Sequence, residues 1–243
     1  MSSVLDLYLP KVAQARARFE GATAVTDIVS AGIEPQRLEL FFIHFCALGV
    51  QMTEPVESWI RRAGERTQAV GLPELGRALV AHARHEANHH LMMIEDTKRL
   101  VARWNAKRDV QLDADALIAT PPTRGIQLYA ALHENVIASE APYAQLAIEL
   151  EIERLSITTG STLLRNCATV LGQDALSGLS FLEEHVAVDE GHTKFNEAQL
   201  ERLLRAHPEL AGSLGNAGSA ALDAYALFLS DCLASAETVA RAA

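Results

Sequence analysis

Apolar residues recur along this chain at helical intervals of three and four, and no stretch alternates apolar and polar positions as a half-buried strand does. Proline and glycine punctuate the pattern and set the expected elements. A first helix covers residues 3–20. After a glycine-containing connection ending at Glu34-Pro35, a long helical region spans 36–69, with a kink or a division at Thr53-Glu54-Pro55 because proline removes a backbone donor. An unbroken helix is predicted over 73–107. Residues 108–123, with Asp113, Asp115 and Pro121-Pro122, read as the one substantial connection. Two helices follow, divided near Pro142, and Gly172-Gln173-Asp174 precedes a helix over 175–206 that Pro208 ends. The Gly/Ser stretch 212–219 reads as a connection into a last helix over 220–242. The expectation is an all-α fold in a single domain, 1–243, without internal repeats.

Composition narrows the function. The chain is 49% hydrophobic, 21% charged and only 5% aromatic, which suits a globular helical protein. Its formal charge of -10 repels phosphate backbones, so nucleic acid is not an expected partner. Cys46, Cys167 and Cys232 are odd in number and lie in apolar contexts without a CxxC pair, as expected of reduced thiols in a cytoplasmic protein. The first residues lack the pattern of a signal peptide. The longest apolar run, 40–50, contains His44 and is too short to span a bilayer, so no membrane association is expected.

Six of the nine histidines fall in two segments, HARHEANHH at 82–90 and EEHVAVDEGH at 183–192. In the second, His185, Asp189 and His192 stand at i, i+4 and i+7 and share one helical face. Burying two imidazoles and a carboxylate side by side is costly unless each is paired, and a divalent transition metal pairs them all. In the first, Glu86 and His89 have the Glu-x-x-His spacing of carboxylate-bridged metal pairs, with His90 a competitor for the imidazole. His82 and His85 read as surface or outer-layer residues, and Asp96 as an acceptor for the other nitrogen of His89. A further bridging acid is sought in AIELEIERLSITTG. Glu149 and Glu153 share a face, Glu151 points the other way, and Glu153 is preferred because small and apolar residues follow it.

Glu86-x2-His89, then Glu153, then His185-x3-Asp189-x2-His192 resembles the ligand pattern of the heme-oxygenase-like di-iron oxidases and oxygenases, a group of iron-containing redox enzymes. The segments HEANHHLMMIED, ERLSITTG and FLEEHVAVDEGHTKFN resemble the three ligand helices of that family, and the match runs from about Glu86 to Asn196. The resemblance implies a heme-oxygenase-like helical bundle of about seven helices. It implies a site of two Fe ions on Glu86, His89, Glu153, His185, Asp189 and His192, with no catalytic residue beyond these ligands. Three carboxylates and three neutral imidazoles carry a formal charge near −3, which partly neutralises two Fe(II) ions and leaves positions open for O2. Activated O2 would then oxidise a small organic substrate: an amino acid, a fatty acid or a related carboxylate.

Arg154 and Lys194 are the candidate cations for a substrate carboxylate. An external electron donor and a homodimer also follow from the resemblance, and His44 reads as a residue lining a cavity beneath the metals. Two other arrangements are compatible with parts of the pattern. A ferritin-like di-iron carboxylate protein would recruit Glu39 and leave His185 without a role. A metal-independent enzyme or binding protein on the same scaffold would leave the histidine segments as solvated faces.

Overall fold

The computed structural model describes residues 2–242, which are helical throughout their ordered elements, with no strand among them. A π-helical turn leads into α1 (Leu9–Glu20) and α2 (Thr23–Ile28). Next, α3 (Pro35–Thr53) starts with Pro35 in its first turn and Glu34 accepting from the Arg37 backbone N–H at 2.8 Å, which supplies a partner for one orphan donor. Every residue of α3 from Leu38 to Val50 is buried, so this is the central helix of the bundle. Pro55 divides it from α4 (Val56–Ala69), and α4 returns through a turn at Gly71, φ +94°, into α5 (Pro73–Ala83). A Cβ on Gly76 would lie 2.4 Å from the Gly64 carbonyl oxygen, so these two helices approach to a distance that only glycine permits.

The helix expected to run unbroken over 73–107 stops at Ala83 and resumes as α6 (His89–Asn105). Asn88 sits between them in the left-handed region at φ +69°, a conformation that asparagine tolerates better than most residues. The intervening connection holds a short α7 (Ala114–Ile118), which Asp113 caps by accepting from Ala116 N–H at 3.0 Å. Then come α8 (Arg124–Ala138), a 3₁₀ turn at Pro142–Ala144, α9 (Gln145–Leu155), a π-helical turn (Ser156–Gly160) and α10 (Ser161–Leu171). The helix expected from 175 begins later, as α11 (Ser180–Ala206), after a 3₁₀ segment.

The last helix, α12 (Ala211–Ala242), absorbs the Gly/Ser stretch read as a connection. Small residues there permit contact, since a Cβ on Gly215 would meet Lys11 at 2.6 Å and one on Gly218 would meet the Tyr8 hydroxyl at 2.4 Å. The main core forms around α3, α6 and α12, and a second cluster joins α1, α5, α9 and α11 through Val12, Leu79, Leu146, Leu150 and Leu200. The twelve α-helices of the described residues exceed the expected seven because short helices and a broken long one add to the count. All three cysteines are buried and free. No helix of the described residues is long and apolar enough to cross a membrane.

One packing contact yields a direct test. A Cβ on Gly125, in the first turn of α8, would lie 2.5 Å from the Phe228 backbone nitrogen and 2.6 Å from its Cα on α12. Neither is the end of a flexible side chain, so Gly125→Ala must push the two helices apart. The expected loss is about 1–3 kcal/mol of stability, read from the urea unfolding midpoint.

Candidate metal centre

Three parts of the bundle converge on one buried point. The α5–α6 junction brings His82, Glu86 and His89; α9 brings Glu153; and α11 brings His185, Asp189 and His192. The donor atoms form two groups, each with its atoms within 4.8 Å of one another. One is Glu86, His89 and His185, and the other is His82, Glu153 and His192. Asp189 joins the second group, its Oδ1 lying 3.3 Å from His192 Nδ1. Glu86 faces both: Oε2 is 3.1 Å from His89 Nδ1 and Oε1 is 3.6 Å from His192 Nδ1. The broken helix explains this reach, because Glu86 stands in the turn before α6 and not on a helix wall.

The 3.1 and 3.3 Å contacts have the spacing of hydrogen bonds but not their directions. His82 Nε2, His89 Nδ1, His192 Nδ1, Glu153 Oε1 and Asp189 Oδ1 are all buried and lack a hydrogen-bond partner. Five orphaned donor and acceptor atoms in one place would be a severe cost for a helical core. On three of the residues, in contrast, the outward-facing atom is held. His185 Nδ1 donates to the Phe181 carbonyl at 2.7 Å, which leaves Nε2 with its lone pair free. Asn196 Nδ2 donates to Glu153 Oε2 at 2.6 Å, and the Ser156 hydroxyl donates to Asp189 Oδ2. One side fixed and the other unpaired is the pattern of metal ligands with their supporting layer.

Electrostatics point the same way. Burial, then the Asp189 charge, pushes the Glu153 carboxyl well above the usual range. Burial also raises Glu86, but His89 beside it and the neighbouring imidazoles outweigh that and hold its carboxyl low. The Glu86 and Asp189 carboxylates raise His89 and His192 respectively, whereas burial lowers His82 and His185. Imidazole and carboxylate together suit iron and neighbouring first-row metals better than calcium or magnesium.

Other expected roles are reassigned. His82 is buried at the centre, not on the surface or in an outer layer, while His85 is exposed. His90 is half-buried and belongs to neither donor group. Glu151 pairs with Arg16 at 2.7 Å and accepts from the Tyr8 hydroxyl at 2.8 Å, on the face of α9 away from the centre. Asp96 does not meet His89; it accepts from Phe181 N–H and the Ser180 hydroxyl, both at 2.8 Å, and so anchors the start of α11 beneath His185. Glu39 is paired with Arg103 and Arg108, so the ferritin-like arrangement loses its extra acid.

Beside the donors lies a cavity of about 110 Å³ that opens to solvent. Phe45, Met52, Met93, Phe228 and Leu229 give it apolar walls, and Glu86, Glu153, His185 and Asp189 stand in its lining. His44 does not line it. Neither does Arg154, and Lys194 is exposed and paired with Glu190 at 2.7 Å. Glu149 is the one further acidic residue of the wall; Gln145 donates to it at 2.5 Å, and burial pushes its carboxyl up to about 8.

This topology is a heme oxygenase-like fold. A crystal structure of a domain of unknown function with that fold from Shewanella denitrificans OS217 matches at a TM-score of 0.70 and 14% identity, covering 92% of this chain and 88% of the other. A TenA homolog from Pseudomonas syringae pv. tomato DC3000 matches at 0.65 and 17% identity, covering 92% and 90%. No known family's sequence profile matches the chain, and no curated protein does.

Proposed function

We propose that the protein is a non-heme di-iron oxidase or oxygenase that uses O2 to oxidise a small organic substrate. The observation that carries this reading is the convergence of imidazole and carboxylate atoms, buried and without hydrogen-bond partners, on the wall of a mostly apolar cavity. Glu86, His89, Glu153, His185, Asp189 and His192 would hold two iron ions. When bound, such a pair supplies reduction of O2 coupled to oxidation of a neighbouring molecule.

The chain's own residues prepare that chemistry. Glu86 faces both donor groups with separate oxygens, which suits a bridging carboxylate. Phe181 carbonyl fixes the His185 tautomer, and Asp96 in turn fixes Phe181, so the imidazole lone pair stays aimed inward. Ser156 and Asn196 hold the outer oxygens of Asp189 and Glu153. The apolar walls exclude water from an oxidising centre and fit a substrate with a hydrocarbon body. Because no arginine or lysine is in the cavity lining, a substrate carboxylate has no cationic side chain to meet there. Full reduction of O2 to water takes four electrons; a substrate losing two leaves an external donor to supply the others.

An oxygen electrode tests the reading. Protein loaded anaerobically with Fe(II) should consume O2 faster than the metal-free chain, with further acceleration by a substrate found in a panel of apolar acids, amines and amino acids. Uptake no faster than free Fe(II) in buffer under every condition would exclude it.

A further inference from the structure

We infer that His82 is a seventh metal ligand, which gives each ion of the pair two imidazoles. The inference rests on the di-metal reading above and adds a residue to it. His82 lies in the last turn of α5, four residues before Glu86, where a continuous helix would have left it beside Glu86 on a single face. The break at 84–88 instead lets the chain turn, so His82 approaches the α9 and α11 ligands while Glu86 and His89 reach over to His185. The residue is 5% exposed, and its ring lies against Phe195 at 5.8 Å and meets His192 edge-on at 5.1 Å.

The decisive contact is His82 Nε2 to Glu153 Oε1, 2.9 Å apart, with both atoms left without a hydrogen bond. Two donor atoms each about 2.1 Å from one cation stand about 3 Å apart when adjacent in its coordination sphere, so this spacing is that of neighbouring ligands. Chemical balance supports the same assignment. Without His82 one group would offer His89 and His185 and the other only His192; with it, each group has two nitrogens and at least one carboxylate. A histidine that merely held Glu153 would donate an aligned N–H to it, as Asn196 does to the other oxygen.

Cobalt(II), added alone, is the probe. The wild-type chain should bind two Co(II) and show four paramagnetically shifted, exchangeable imidazole N–H signals in its proton NMR spectrum. His82→Ala should keep its helical circular dichroism, weaken the second Co(II) at least about tenfold and lose one shifted signal. Free imidazole added to His82→Gly should restore the second site. Three shifted signals in the wild type, or unchanged Co(II) affinities in His82→Ala, would overturn the inference and leave the di-metal reading in place. Fewer than two Co(II) in the wild type would overturn both. If His82→Ala fails to fold, the wild-type signal count still decides.

Discussion

Asp189→Ala is expected to reduce bound iron from two ions per chain to at most one and to abolish O2-dependent turnover. Asp189 is 1% exposed, with one oxygen 3.3 Å from His192 and the other tied to Ser156, so no other side chain can move into its place. The loss should be confined to the metals. In the metal-free chain Asp189 repels Glu153 but also pairs with His192 and Ser156, so its removal has opposing effects there and the metal-free variant should keep the helical circular dichroism of the metal-free wild type. Metal content by plasma emission spectrometry and helicity by circular dichroism provide the two readouts. His185→Ala should behave alike, because its free Nε2 belongs to the group with Glu86 and His89. A His185→Ala protein that kept two irons and full activity would favour a ferritin-like centre, in which that residue has no function.

The second large effect is on acid stability and lies outside the centre. His133 is fully buried, its ring stacked on Trp59 at 4.2 Å and 8°, with Nδ1 against the Gln145 side chain. Burial lowers its pKa to about 3, against the bond to Gln145. Below pH 6.5 the unfolded chain takes up a proton that the folded chain refuses, so this group costs stability progressively as pH falls from 6.5 towards 3. The linkage amounts to about 2 kcal/mol between pH 7 and 5 and about 4 kcal/mol by pH 3. His133→Gln removes the titration. Urea unfolding of the two metal-free proteins should therefore show the wild-type advantage shrinking by about 2 kcal/mol from pH 7 to pH 5. A constant difference would mean that His133 is protonated in the fold.

Much of this architecture was legible because periodicity records what packing needs. The interval His185-x3-Asp189-x2-His192 puts three polar side chains on one stripe of α11, and the structure turns that stripe towards α9 and the α5–α6 junction. Pro35 and Pro55 likewise mark the real ends of α3 and the start of α4. The misreadings have local causes. Residues 84–88 are mostly good helix formers, and nothing in them announces that Asn88 adopts φ +69°. His82 was hidden with that bend, since its approach to Glu153 depends on the chain turning after it. Glycines 212, 215 and 218 looked like breakers, yet at the latter two the missing side chain admits Lys11 and Tyr8. Spacing alone could not choose among Glu149, Glu151 and Glu153. Arg16 and Tyr8, distant in sequence, claim Glu151; Gln145 holds Glu149; and Glu153 is left among the imidazoles.

Anaerobic titration of the metal-free protein with Fe(II), followed by rapid mixing with oxygenated buffer, tests the central claim most directly. The account predicts a break at two equivalents of iron per chain and, after mixing, the near-ultraviolet and visible absorption of iron(III) held by the protein. It also predicts that both features are lost in Asp189→Ala. Saturation at one equivalent or fewer, or iron that passes through desalting unbound while the helices remain intact, would contradict it.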